Sequence, residues 1–195
     1  MALKPMLFNT EMTRAILSGQ KTCTRRVLKP QPPATSYVKY RDFLGYSWAF
    51  WEDSDPHWIK PPATPGDILY VRETWATDAD GEYVYRTNYG TTEDDSFPPS
   101  MFKWRPSIHM PKEAARIFLR VTDVRVERLQ YITRDGAISE GCNAAIPLLE
   151  FQGVWDSTFK PADLYRYGWV ANPWVWVIRF ERISKEAALG GAGNG

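Results

Sequence analysis

Histidine and cysteine are scarce, with two of each in 195 residues. His57 and His109 stand far apart in the chain, and Cys23 and Cys142 match no zinc spacing, so no metal site is expected. Two cysteines cannot make a disulfide framework, and free thiols are expected. Charge of one sign is lacking too. The 24 Lys and Arg stand against 23 Asp and Glu, a net +1, which excludes a polycation that coats nucleic acid by charge alone. No run approaches the ~20 apolar residues that span a bilayer, and the opening Met-Ala-Leu-Lys-Pro lacks the apolar stretch of a signal peptide. The expectation is a soluble, cytoplasmic protein with no membrane partner. A glycine-rich phosphate loop and a G-x-S-x-G elbow are both missing, and no cofactor is expected. What the chain has in abundance is rings: 9 Trp, 10 Tyr and 9 Phe. They can form a thick core, a stacking platform for bases, or both.

The length fits one domain. The order of elements predicts an α+β domain over residues 1–183. Pro5 to Phe8 reads as a strand, followed by a helix capped by Asn9 or Thr10 and stopped at Gly19. Residues 21–28 read as a strand. Residues 68–75 form a clear strand after the Gly66-Asp67 turn. Leu69, Val71 and Trp75 share its apolar face with Glu73, a carboxylate that needs a partner there. Tyr83 to Arg86 reads as a further strand. Ile117, Leu119 and Val121 alternate on one phase and Val124 and Val126 on the other, which predicts a bent strand suited to a small barrel. Thr133 caps a short helix that ends at Glu140-Gly141. Leu148, Phe151, Trp155 and Phe159 mark another helix. The strand at 174–180 is apolar on both faces and therefore central. Two irregular, proline-rich insertions are expected near 29–64 and 88–112. The first is expected to be ordered, because Tyr46, Trp48, Phe50, Trp51 and Trp58 must pack on something. Residues 184–195, ending Gly-Gly-Ala-Gly-Asn-Gly, read as a flexible tail.

Three features bear on chemistry. Lys21 stands three residues before Thr24, with Arg25 and Arg26 following. A threonine hydroxyl needs a base to become a nucleophile, and a desolvated lysine can serve. Residues three apart in a strand point to opposite faces, so Lys21 must lie in the turn before the strand or a bulge must intervene. A solvated strand edge would carry the same residues. Glu140 closes a helix at its negative end, which suits a carboxylate to proton transfer; spacing alone favours a surface helix residue. Arg72, Arg86, Trp104, Arg105 and His109, with Lys112 and Arg116, form a scattered cationic and aromatic set that can clamp a phosphate and stack a base, or make ordinary ion pairs.

The run Ala15-Ile16-Leu17-Ser18-Gly19-Gln20-Lys21-Thr22-Cys23-Thr24-Arg25-Arg26 resembles the signature of the ASCH domain, a branch of the PUA-like superfamily, in which a helix ends in I-L-x-G-x-K-T-x-T-x-R. Pro65 to Trp75, Ile132 to Gly141 and Val175 to Phe180 fit in order. The run Trp104-Arg105-Pro106-Ser107-Ile108-His109-Met110-Pro111 is similar to the larger ASCH proteins of phages and prophages. The resemblance implies a PUA-like mixed β-barrel with short helices around a cleft that binds RNA, a nucleotide or a modified nucleoside. The small bacterial N(4)-acetylcytidine amidohydrolases of this family use a lysine, a threonine and a glutamate, which by motif position fall on Lys21, Thr24 and Glu140. The resemblance thus implies amide hydrolysis on the base, with Arg25, Arg26, Arg72, Glu73, Trp75, Trp104, Arg105, His109 and Arg116 as ligand contacts and Trp75 or Trp104 stacking the base. The alternative is an RNA-binding module or ribonuclease without that activity. Arg25 stands where the small enzymes carry an apolar residue, and a cation there favours phosphate.

Overall fold

The computed structural model describes residues 2–33, 38–43, 46–52, 56–90 and 101–190. They form an α+β fold with short helices. The main sheet has five strands: β1 (Leu3–Leu7), β2 (Cys23–Val27), β6 (Ile68–Arg72), β9 (Phe118–Arg128) and β10 (Trp174–Ile183), in the order β1-β6-β9-β10-β2. A separate antiparallel sheet holds β3 (Lys39–Phe43), β4 (Tyr46–Glu52) and β5 (Pro56–Ile59) in that order, and β7 (Trp75–Thr77) pairs with β8 (Tyr83–Tyr85). No helix among the described residues is long and apolar enough to cross a membrane.

Contacts group the chain into two compact units. The first comprises residues 1–19, 67–120 and 181–195. In it β1 runs parallel to β6, Leu3 opposite Ile68, and the start of β9 runs antiparallel to β6, Phe118 opposite Tyr70. Helix α1 (Thr10–Leu17) starts where Asn9 Oδ1 accepts a hydrogen bond from Met12 N at 2.7 Å, satisfying one of the unpaired amides of the first turn. It ends before Gly19, whose φ of 81° suits a residue without a side chain. Ile68, Tyr70, Trp75, Met110, Phe118 and Ala188 form the core.

The second unit comprises residues 20–66 and 121–180. Here β2 runs antiparallel to β10, with Thr24 opposite Ile178. Helix α2 (Arg134–Ser139) is capped by Thr133, whose Oγ1 accepts from Gly136 N at 3.0 Å, and closes on Glu140 and Gly141. Helices α3 (Pro147–Ser157) and α4 (Leu164–Tyr167) follow. Leu129, Ile132, Ala137, Cys142, Phe151, Trp155, Val175 and Val177 form this unit's core.

Several elements differ from their sequence-based reading. The strand expected over 68–75 breaks at Glu73, because its N–H turns to the Met110 sulfur at 3.2 Å instead of a neighbouring strand. Phe159 lies beyond the end of α3, and Leu148 is exposed, so only Phe151 and Trp155 of that set are buried helix positions. Within the first insertion Trp51 is buried and Trp58 is 47% exposed; the side chains of Tyr46, Trp48 and Phe50 lie outside the described residues. Residues 91–100 of the second insertion also lie outside them. The expected tail begins instead with a helix, α5 (Lys185–Gly190). Its Ala187 N donates to Ser184 Oγ at 3.1 Å and its Ala188 packs into the first unit's core, so the good helix formers before the glycines outweigh them.

Candidate functional site

The second unit assembles a buried charge cluster from two stretches far apart in the chain. Residues 20–22 lead from the turn at Gly19 into β2, and all three are tied to the end of α2. Gln20 Nε2 donates to Cys142 O at 2.7 Å, Lys21 Nζ to Glu140 O at 2.7 Å, and Thr22 N to Ser139 O at 2.9 Å. Lys21 thus precedes the regular strand, and the pleat does not dictate where its side chain points. Its ammonium reaches Glu140 Oε2 at 2.6 Å, and both side chains are buried.

Within β2 the pleat does decide direction. Cys23 and Arg25 share one face, and Thr24 and Arg26 share the other. On the first face Arg25 Nη1 donates to Glu140 Oε1 at 3.1 Å, while its Nε and Nη2 donate to Glu127 Oε1 at 3.1 and 2.7 Å. Its guanidinium carbon also sits 5.8 Å from the Phe151 ring centroid. On the second face Thr24, buried opposite Ile178, accepts a hydrogen bond from Arg26 Nη1 at 2.9 Å.

Electrostatics tie these pairs together. Burial pulls the Arg25 guanidinium down, but Glu140, Cys23 and Glu127 together hold it above its ordinary value. Burial pushes Arg26 below its ordinary value and Glu140 partly offsets that. The Cys23 thiol is pushed up to about 11, first by burial and then by Glu140, with Arg25, Lys21 and Arg179 opposing. Cys142 is likewise raised to about 11, by burial and then by Glu150 and Glu140. Both thiols are therefore protonated at neutral pH and make weak nucleophiles.

The phosphate contact expected of Arg25 does not fit its place, since the guanidinium is enclosed and engaged by two carboxylates. Glu127 was not singled out in the sequence. The signal for it is the alternation Asp123-x-Arg125-x-Glu127, which sets three charges on one face of β9.

The other expected ligand residues lie in the first unit. Glu73 is 1% exposed, and its carboxylate accepts from Arg116 Nε at 2.9 Å, Arg116 Nη2 at 3.2 Å and Thr87 Oγ1 at 2.6 Å. It is a satisfied core carboxylate, and Arg116 is engaged there and over the Tyr85 ring at 3.9 Å. Burial raises the Tyr85 phenol, with Arg116 opposing. Trp75 is a core residue whose buried Nε1 has no hydrogen-bond partner among the described residues, which does not suit an open stacking surface. Arg72 Nε donates to Met110 O at 2.8 Å. Trp104 is half-buried among Tyr89 and Phe102, with Arg86 over its ring at 5.6 Å; Arg105 and His109 are exposed. No group of three His, Cys, Asp or Glu that could hold a metal occurs among the described residues.

No family model and no curated protein matches the chain. Among solved structures it is similar to an ASCH domain from Lactobacillus crispatus JV V101, with a TM-score of 0.47 and 12% identity, covering 94% of this chain and 80% of that one. It is also similar to protein EF3133 from Enterococcus faecalis V583, a DUF984 protein, with a TM-score of 0.43 and 10% identity, covering 94% of this chain and 81% of that one.

Proposed function

We propose that this chain is an ASCH-type amidohydrolase that removes the acyl group from an N(4)-acylated cytidine, with Thr24 as nucleophile, Lys21 as base and Glu140 as proton donor. Beyond the Lys21-x-x-Thr24 signature, one observation carries the reading. Two residues 119 positions apart meet as a buried ion pair at 2.6 Å, and Thr24, three residues on from the lysine, is buried as well. Such pairs cost desolvation, and a well-packed apolar pair would serve stability as well or better, so their presence asks for a use.

The proposed reaction uses these three side chains and Arg26. A proton passes from Lys21 Nζ to Glu140 Oε2, leaving a neutral amine and a carboxylic acid. Thr24 Oγ1 then attacks the acyl carbonyl carbon and its proton goes to Lys21. Arg26 donates to that oxygen in the resting state; as the carbonyl oxygen becomes an oxyanion, the same guanidinium stabilises it. The C–N bond breaks as Glu140 protonates the departing cytosine amine. The Glu140 carboxylate then deprotonates water, which attacks the acyl-threonine ester. Thr24 leaves, recovering its proton from Lys21, and proton return from Glu140 to Lys21 restores the pair. The products are cytidine and the carboxylic acid. Closure of the five-stranded sheet into a PUA-like barrel belongs to the same proposal.

The test is chromatography of N(4)-acetylcytidine incubated with purified protein. Wild type should release cytidine and acetate, while Lys21→Ala, Thr24→Ala and Glu140→Ala should not. Intact substrate after prolonged incubation with wild type would sink the proposal.

The exposed Arg105, next in the chain to Trp104 of the Trp104, Tyr89 and Phe102 ring cluster, favours a second reading, an RNA-binding module. Under it, Arg105→Ala weakens binding to single-stranded RNA and lowers the salt slope by about one, whereas Thr24→Ala leaves affinity unchanged.

A further inference from the structure

Six side chains of the second unit form a chain of alternating charge: Asp123, Arg125, Glu127, Arg25, Glu140 and Lys21. Successive contacts are 3.3, 3.3, 2.7, 3.1 and 2.6 Å. Side-chain exposure falls from 50% at Asp123 through 15% at Glu127 to 2% at Lys21. The first three residues stand on one face of β9, the fourth is on β2, and the fifth closes α2.

We propose that Glu127 and Arg25 are positioning residues. Glu127 orients the Arg25 guanidinium, and Arg25 holds one oxygen of Glu140 so that the other meets Lys21. This rests on the reading above, in which Lys21 and Glu140 move protons to and from the substrate.

A glutamate carboxylate turns about a broad, two-fold terminal torsion. The Lys21 contact to Oε2 leaves that torsion soft, and the Arg25 contact to Oε1 closes it. Arg25 can do this because its planar fork has donors on two edges. Nε and Nη2 go to Glu127, which leaves Nη1 directed at Glu140. Charge balance points the same way. Two buried cations, Lys21 and Arg25, face two carboxylates, Glu140 and Glu127; without Glu127 both cations would compete for Glu140. Arg25 is 4% exposed, so any effect it has on a ligand passes through Glu140.

The test uses the full chain with ¹⁵N-lysine and follows the side-chain ammonium signal of Lys21, assigned by its loss in Lys21→Met. Wild type should show a protected signal. Glu127→Gln should shift it and speed its hydrogen exchange, and should lower kcat on N(4)-acetylcytidine by about tenfold to a hundredfold with KM unchanged, the scale of a misplaced catalytic group. Arg25→Lys should behave like Glu127→Gln, because lysine keeps the charge and lacks the fork. An unchanged Lys21 signal in both variants overturns the proposal. If wild type shows no hydrolysis, the amidohydrolase reading falls, and the Lys21 signal alone decides the positioning role. If Glu127→Gln fails to fold, Glu127→Asp, which keeps the charge and withdraws the carboxylate by one methylene, is read by the same signal.

Discussion

Replacing Glu140 with alanine offers the most direct measure of the charge cluster. The substitution removes the carboxylate from two enclosed cations: Lys21 at 2.6 Å and Arg25 at 3.1 Å, whose side chains are almost fully buried. Arg25 keeps Glu127, and Lys21 keeps the carbonyl of residue 140, which carries no net charge. Truncating one partner of such a pair costs about 3–5 kcal/mol, because the remaining ion stays out of water without compensation. For a chain of this size each kcal/mol lowers the melting temperature by about 2–4 °C, which predicts a fall of about 6–20 °C. Urea unfolding of wild type and Glu140→Ala by circular dichroism measures the difference, and repeating it in 1 M salt adds a second criterion. A buried pair is screened little, so the deficit should persist. The double variant Lys21→Met with Glu140→Leu should recover much of the loss, since apolar groups of similar volume replace a buried ion pair at small cost. A deficit below about 1 kcal/mol, or one that disappears in salt, is what an exposed pair gives, and it would refute the burial argument.

Two further outcomes follow from particular contacts. With its thiol raised from 9.0 to about 11, Cys23 should resist iodoacetamide at pH 8 in the folded chain and react once the chain is unfolded in urea. The raised value also makes stability fall as pH rises from 9 to 11, because the unfolded thiol ionises first; the loss from Cys23 is about 2–3 kcal/mol, measurable as a pH series of unfolding midpoints. At Gly168 an added Cβ would meet Leu164 O at 2.7 Å and Asp156 Oδ1 at 3.2 Å. Gly168→Ala should therefore cost about 1–3 kcal/mol in urea unfolding, and a wild-type midpoint would count against so close an approach.

Much of the local structure was legible because it depends on neighbours in the chain. Asn9 and Thr133 cap helices through their own next turn, and Gly19 and Gly141 stop them at positive φ. The phase change between Val121 and Val124 appears as the change of buried side along β9, and the doubly apolar strand at 174–178 is buried on both faces. The misplaced readings fall where tertiary contact overrides pattern. The 68–75 strand breaks because the amide of Glu73 finds the Met110 sulfur, 37 residues away. The segment after residue 184 is helical where Ala188 meets a core that sequence spacing does not reveal.

The candidate site divides along the same line. By itself the sequence determined which chemistry the chain could carry: Lys21 ahead of Thr24, a glutamate closing a capped helix, and a buried-face carboxylate at 73 in need of a partner. Those are matters of residue type and local periodicity. Only the tertiary structure decided which partners meet. It set Glu140 against Lys21 across 119 residues, gave Arg25 to Glu127 and Glu140 instead of to solvent, and supplied Glu73 with Arg116 and Thr87. Buried charges select their partners by desolvation and distance, and neither is a property of position along the chain.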